Sequence, residues 1–501
     1  MNGLVLGYQR LIDTLSLRVR PLARIAVASS AVNRKRFTAT EIRFPSSVAY
    51  EDSPLGHLEF ALRHEVLNLE VIAAVFDGVS AAMLCERYAA TPNGEFIRKA
   101  CFLWEWMGRG ALEQTARTTL GYVAMLDPDR YATAGRATRN AKYRIDDNLL
   151  GNSDFCPTIS RHALDASSDL LSLLESIERQ LQAIEDPDLY TRAVQYLLLS
   201  ETKGSFAIER ETASGGKEER FVQLLAHAGA EDTSEEWLVE LQNAVVRDDF
   251  SKEASFRTKQ NWLEDRNARL TYLPPSPVHL RRLMNGWERF TNDSERAIPL
   301  AAKLACGTFG FVYLHPFMDG NGRLHRFMIH HILARSKAVR QDTILPVSAT
   351  ILKQMMREYD HVLNGFSRPV TRLWEYVRAD DGPVIRFDLG PAPYAYFNAD
   401  SELGFLFDAI RRTVDEEIPR ELRFLVGFDE ACERIDREFD LRGPDVGALV
   451  RMIHGNRGAL SRGKRKQFSH LPDSAIGRIE SIVRDSFVGE GWPIKPAVPG
   501  S

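Results

Sequence analysis

The run from Leu314 to His331 reads Leu-His-Pro-Phe-Met-Asp-Gly-Asn-Gly-Arg-Leu-His-Arg-Phe-Met-Ile-His-His, and it leaves the backbone few choices. Gly320 and Gly322 can take positive φ without steric cost, so successive N–H groups around Asn321 can converge into an anion-binding nest. From Arg323 onward, Leu324, Phe327, Met328, Ile332 and Leu333 fall near helical spacing. The nest is therefore expected to open onto a helix N-terminus, where aligned peptide dipoles favour negative charge.

Arg323 and Arg326 add two permanent cations at the start of that helix. Guanidinium groups match phosphate oxygens in a bidentate fork, so two of them beside a nest point to a polyphosphate rather than a carboxylate. A lone carboxylate beside phosphates, here Asp319, suits Mg²⁺, which keeps most of its waters and takes its other ligands from the substrate. His315 is the natural base. Taken alone, a Gly-Asn-Gly is an ordinary turn and Asp319 an ordinary helix cap. His325, His330 and His331 lack the i, i+4 spacing of a zinc pair and receive no role.

At its fixed positions, His315-Pro316-Phe317 followed by Gly320-Asn321-Gly322-Arg323 and Arg326 resembles the signature of the Fic domain (Fic/DOC family). The resemblance implies a helical core with a β-hairpin flap. It also implies a protein adenylyltransferase, a nucleotidyltransferase that AMPylates its targets by moving AMP from ATP onto a Ser, Thr or Tyr hydroxyl. In that reading His315 takes the hydroxyl proton, Gly320, Asn321, Gly322, Arg323 and Arg326 bind phosphates, Asp319 holds Mg²⁺, and Tyr359 lies near the adenine. Phe317 is read as an anchor into the core. Transfer of another nucleotide or phospho-group, and removal of AMP, are alternatives, because the motif describes a phosphate site without naming the base. A nucleotide-responsive regulatory or DNA-binding protein is an alternative of another class, disfavoured by the intact His315.

Ser205-Phe206-Ala207-Ile208-Glu209-Arg210 resembles the inhibitory motif of Fic proteins that carry it before the core. Ser205 and Glu209 stand at i and i+4, on one helix face. Arg210 departs from the pattern, in which Gly or Asn follows the Glu. The polar stretch after Arg257, ended by Pro274, Pro275 and Pro277, suits the family's flap, and the resemblance implies that Asn261, Trp262 and Leu263 clamp a target segment by strand addition.

With 501 residues, 44% hydrophobic and 26% charged, the chain is expected to fold as a mostly α protein in several parts: a helical region over 1–163, a catalytic core over 164–379 with the inhibitory helix and flap, and a helical region over 380–501. Leu58, Leu62, Val66, Leu69, Ile72 and Val75 predict a helix within Leu55–Met83, and Leu170 to Ile184 predict another within Leu164–Leu199. Phe102 to Trp106 reads as core packing, Asp146–Pro157 as loop, Ile298–Leu314 as a buried helix, and Met355–Leu363 and Val370–Val377 as helix. Breakers at Asp380–Pro383 and Gly390–Pro393 mark the last boundary, and helices follow over Ser401–Val488.

The net charge of -4 argues against a generally basic nucleic-acid surface. The cluster Arg457–Lys466 reads as a solvated or partner-binding patch, so nucleic acid is not an expected partner. Five scattered cysteines without a CxxC fit a reducing, cytoplasmic setting, and neither an export leader nor a membrane span is expected. ATP and a protein bearing a hydroxyl are the expected partners, with self-modification and homo-oligomerisation left open.

Overall fold

Leu300–Leu314 is a helix buried on nearly all sides. A helix that is apolar all round has to be enclosed. It packs against the signature helix Asn321–Arg335 and against the helices Pro277–Asn292 and Asp400–Arg412. The structure, a computed structural model, describes residues 3–113, 116–211, 216–246, 249–340, 343–379 and 382–487. Asp380, Asp381 and Val488, used above as boundary markers, lie outside them.

The protein is mostly α, a helical core with helical flanking regions and small sheets. Trp287 on Pro277–Asn292 is fully buried, and its indole N–H donates to the Gly307 carbonyl at 2.7 Å, so the bulkiest core side chain also satisfies its polar atom. Between this helix and the residues before it lies the expected hairpin: Leu263–Glu264 pairs antiparallel with Leu270–Tyr272. The helix preceding the core, Pro187–Ile208, begins with a proline in its first turn and an Asp186 cap on the Asp188 N–H. Thus the helical segment expected over Leu164–Leu199 is divided among Arg161–Asp165, Leu170–Gln182 and Pro187–Ile208, and the last carries Ser205.

Several other expectations are corrected. The stretch Leu55–Met83 is three helices, because Asn68 and Ser80 each cap a new start: Pro54–His64, Leu69–Gly78 and Ala81–Ala90. Val66 falls in the break and is exposed. The N-terminal helices are accompanied by a four-stranded sheet in the order Leu4–Leu6, Ile25–Ser29, Glu41–Pro45, Arg36–Phe37, whose strands are too short to read from periodicity. Val370–Val377 does not continue as helix: the helix ends at Thr371, and Glu375–Ala379 forms a ribbon with Gly382–Phe387. Phe102, Leu103 and Trp104 are buried as core. No helix among the described residues is long and apolar enough to cross a membrane.

Asp146–Pro157 is irregular beyond Asp147, as expected, yet its end is a plug rather than a surface loop. Phe155 is fully buried against Phe290 and Phe397, at ring separations of 5.4 and 6.1 Å, and lies so close to Gly310 that a Cβ there would come within 2.4 Å of its ring. The N–H groups of Cys156 and Thr158 donate to the carbonyls of Ala395 and Phe397, both at 2.8 Å. Among the described residues one large hydrophobic cluster runs from Tyr8 through Ile418, across positions 163 and 380; a second runs from Ala431 to Phe487, and a small third joins Leu6, Ala26, Ala28, Ile42, Phe44 and Phe60. Phe155→Ala is predicted to destabilise the large core by about 3–5 kcal/mol, the usual cost of emptying a buried aromatic site. Urea unfolding followed by tryptophan fluorescence reads this, and a loss under about 1 kcal/mol would show that the plug is peripheral.

Candidate active site

His315 caps the C-terminus of the helix Leu300–Leu314 in the left-handed conformation, with φ of 51°. Its Nδ1 lies 3.3 Å from the Val312 carbonyl. A carbonyl can only accept, so that contact puts the ring proton on Nδ1 and leaves the Nε2 lone pair for another proton. Burial, and next the Arg257 cation, push His315 down to about 4, against the opposing pull of the Val312 carbonyl and Glu209. At neutral pH the imidazole is uncharged and able to accept.

The loop after it is held from inside. Phe317 is fully buried, beside Phe256 at 5.7 Å. The Asn321 amide closes the loop on itself, accepting from the Phe317 N–H at 3.0 Å and donating to its carbonyl at 2.7 Å. The Asn321 side chain is therefore a structural pin, which leaves its backbone N–H to the expected nest. Gly320 caps the signature helix at φ of 91°, a conformation that favours glycine, and no side chain caps the N–H groups that follow.

Arg323 and Arg326 are both buried at this helix start. Arg326 donates through Nη2 to Glu209 Oε1 at 2.9 Å and to the Ser205 carbonyl at 2.7 Å, and through Nε to Ser205 Oγ at 3.1 Å. Ser205 and Glu209 thus meet one guanidinium together. Burial raises the Glu209 carboxyl, but Arg326 and then Arg323 outweigh it and hold the acid below its ordinary range. The carboxylate lies on the nest itself, since a Cβ at Gly322 would come within 2.1 Å of Glu209 Oε1.

Arg210 resolves its own departure from the family pattern. The helix Pro187–Ile208 ends in a reversal, with the N–H groups of Arg210 and Glu211 bonding back to the carbonyls of Ala207 and Phe206. Arg210 takes the left-handed position, φ of 60°, that Gly or Asn occupies more cheaply, at a cost of about 1–2 kcal/mol. The reversal delivers a residue that sequence reading missed. Glu211 Oε2 accepts from Arg323 Nη1 at 2.9 Å, while the same nitrogen donates to the Val245 carbonyl at 2.8 Å. A second acid two residues after Glu209 was the available signal. Even so, Arg323 Nε and Arg326 Nη1 remain buried without a hydrogen-bond partner among the described residues.

Asp319 is partly exposed at the mouth, and its Oδ1 accepts from the Gly320 N–H at 2.6 Å and from Arg323 Nη2 at 3.0 Å. Among the described residues no cluster of three His, Cys, Asp or Glu side chains could hold a metal by itself. One outward carboxylate beside a phosphate-sized nest fits Mg²⁺ bound jointly with phosphates. His325 is pinned by the Thr308 carbonyl at 2.8 Å, His331 packs on Trp237 at 4.3 Å, and His330 lies 3.2 Å from the buried Glu201, so all three serve the core. Tyr359 is buried, its ring stacked on His325 and Phe405, and it couples electrically to Arg326. In the flap, Asn261 donates to the Phe317 carbonyl at 2.9 Å, Trp262 covers Gly382 of the following ribbon, and Leu263 is the exposed member.

Residues 232–333 match the Fic/DOC family model. The chain is 35% identical over 200 residues to the protein adenylyltransferase Fic of Drosophila yakuba, covering 38% of this chain and 32% of that one, and the same values hold for the protein of that name from Drosophila erecta. It thus spans about a third of the length of these relatives. A Fic domain containing signaling protein from Bacteroides thetaiotaomicron is a solved structure with 15% identity and a TM-score of 0.37, covering 50% of this chain and 96% of that one. The signature, its placement at the end of a buried helix, and the family match coincide on the same residues, so the stretch 232–333 is where this chain is similar to the Fic/DOC family.

Proposed function

We propose that the chain transfers AMP from ATP to a hydroxyl group of a protein, and that Glu209 and Glu211 together hold this activity back. The observation that carries the reading is the state of the two arginines. Each is buried at a helix N-terminus and keeps a nitrogen, Arg323 Nε and Arg326 Nη1, without a hydrogen-bond partner among the described residues, beside a histidine whose Nδ1 contact leaves the Nε2 lone pair to accept a proton. Buried donors without acceptors are costly, and phosphate oxygens are the acceptors that a nest and two guanidinium forks match. The relatives named protein adenylyltransferase support the choice of adenylyl transfer among phosphate reactions.

In this mechanism a Ser, Thr or Tyr oxygen of the target attacks the α-phosphorus of ATP. His315 Nε2 takes the hydroxyl proton as the new O–P bond forms, and the bond to the bridging oxygen breaks to release pyrophosphate. The backbone nest, Arg323 and Arg326 meet the charge that develops on the phosphates. Asp319 would hold Mg²⁺ together with the triphosphate, and the ion would neutralise part of its charge. Asn261 to Leu263 would present the target strand from the flap, with Leu263 exposed to meet it.

Glu209 sits over Gly322 and occupies Arg326, and Glu211 occupies Arg323, so both cations that the triphosphate needs are already engaged. ATP entering this site meets carboxylates where its terminal phosphates belong, and like charges at that range repel. Substitution of Glu209 therefore releases one arginine, and full release needs both.

His315→Ala is predicted to cut transfer of label from α-labelled ATP by ~10²–10⁴-fold with nucleotide binding nearly intact, because no phosphate ligand is lost. Asp319→Ala in the same assay shifts the Mg²⁺ requirement while metal-free nucleotide binding stays. Native turnover by His315→Ala would remove it as the base, and an unchanged Mg²⁺ titration would assign the ion elsewhere.

Glu209→Gly is predicted to raise transfer, including onto the protein itself, and Glu209→Gly with Glu211→Gln to raise it further. A charge-assisted bond is worth about 1.5–3 kcal/mol, so each release amounts to roughly tenfold or more. Adding Arg326→Ala erases the gain. Equal activity in the single and double variants would show that Glu211 holds nothing back.

A further inference from the structure

Arg257 stands at the near foot of the flap and is almost fully buried, with 4% of its surface exposed. No carboxylate pairs with it among the described residues. Its guanidinium instead donates to three backbone carbonyls: Nε to His315 at 2.9 Å, Nη2 to Pro275 at 2.6 Å and Nη1 to Lys259 at 3.2 Å. Its own N–H donates to the Pro316 carbonyl at 2.8 Å. Burial pushes this guanidinium down to about 10. A cation withdrawn from water without a counter-ion is expensive, and here it is repaid only by main-chain dipoles.

Those carbonyls come from three places that matter to one another. Pro275 ends the flap at its far foot, Lys259 lies just inside its near foot, and His315 turns the catalytic loop through a left-handed conformation that costs a non-glycine residue. Two neighbouring contacts tighten the same joint: Gln260 donates to the Pro274 carbonyl at 3.0 Å and Asn261 to the Phe317 carbonyl at 2.9 Å. A planar fork with fixed donor directions can bridge three acceptors at once, which an ammonium on a flexible stem cannot reproduce.

We propose that Arg257 is the positioning residue for His315: its buried guanidinium holds the histidine carbonyl in the left-handed turn and ties it to both feet of the flap, so that base and flap keep one mutual setting. This rests on the adenylyl-transfer reading above, in which the flap presents the hydroxyl that His315 deprotonates. Misplacement of a base by about 1 Å can cost ~10²-fold in rate without altering any ligand of the nucleotide. The groups facing His315 are Arg257 from the flap foot, Glu209 from the end of Pro187–Ile208, the Val312 carbonyl from its own helix, and the Tyr272 ring from the second flap strand at 6.5 Å.

The test uses the full chain in the Glu209→Gly, Glu211→Gln background, with Arg257→Lys and Arg257→Gln. Initial rates from α-labelled ATP are measured against pH, and the His315 ring is titrated by NMR. Both variants are expected to lower kcat ~10–100-fold with KM for ATP nearly unchanged. Arg257→Gln removes a cation that keeps His315 low, so its NMR titration and the acidic limb of the rate profile move to higher pH. Arg257→Lys keeps the charge, so its limb stays while kcat falls. If Arg257→Gln does not fold, Arg257→Lys alone decides by its kcat. Unchanged kcat in the folded variants, or a loss confined to KM, overturns the proposal. If the background transfers no label at all, the functional reading fails instead, and the NMR titration still decides whether Arg257 acts on His315.

Discussion

Arg323 and Arg326 are each withdrawn from water at the first turns of one helix, and most of the surrounding chemistry follows from what that burial demands. A buried guanidinium must be met by acceptors, or its desolvation is uncompensated. The fold supplies some of them: the carbonyls of Ser205 and Val245, the Ser205 hydroxyl, and the carboxylates of Glu209, Glu211 and Asp319. It does not supply enough, since each guanidinium still has a buried N–H with no acceptor among the described residues. In the proposed function, a polyphosphate would supply the acceptors that the carboxylates leave missing. The same two cations thus underlie both the proposed phosphate site and its proposed restraint.

The acids reach the arginines through one turn. Pro187–Ile208 has to end where Glu209 meets Gly322, and the strained Arg210 then reverses the chain so that Glu211 faces Arg323. On the other side of the nest, His315 sits in a second left-handed turn whose carbonyl is gripped by Arg257. Two non-glycine residues in that conformation, Arg210 beside Glu209 and His315 itself, mark where the backbone bends around the site.

What was legible in the sequence was local. Signature positions from His315 to Arg326 lie within one loop and one helix, so offsets alone bring them together, and Ser205 and Glu209 share a face by helical period. The buried helix before His315 was visible because it is apolar on every side. Glu211 was invisible because its reach depends on the φ of Arg210, and Arg257 because the partners of its guanidinium lie up to 58 residues away. The ribbon Glu375–Phe387 was misread in its first strand because that strand is exposed throughout and shows no alternation of burial. The backbone around Asn321 is read as part of the nest, and that its side-chain amide closes the loop on Phe317 is a contact that spacing alone does not reveal.

The central claim is that Glu209 and Glu211 occupy the arginines that the terminal phosphates of ATP require. Calorimetric titration of ATP and of AMP into the parent and into Glu209→Gly with Glu211→Gln tests it directly, in the His315→Ala background so that nothing turns over. The account predicts that ATP binds about tenfold or more tightly to the double variant while AMP, which lacks the terminal phosphates, binds nearly alike to both. An equal gain for AMP and ATP, or none for either, would contradict it.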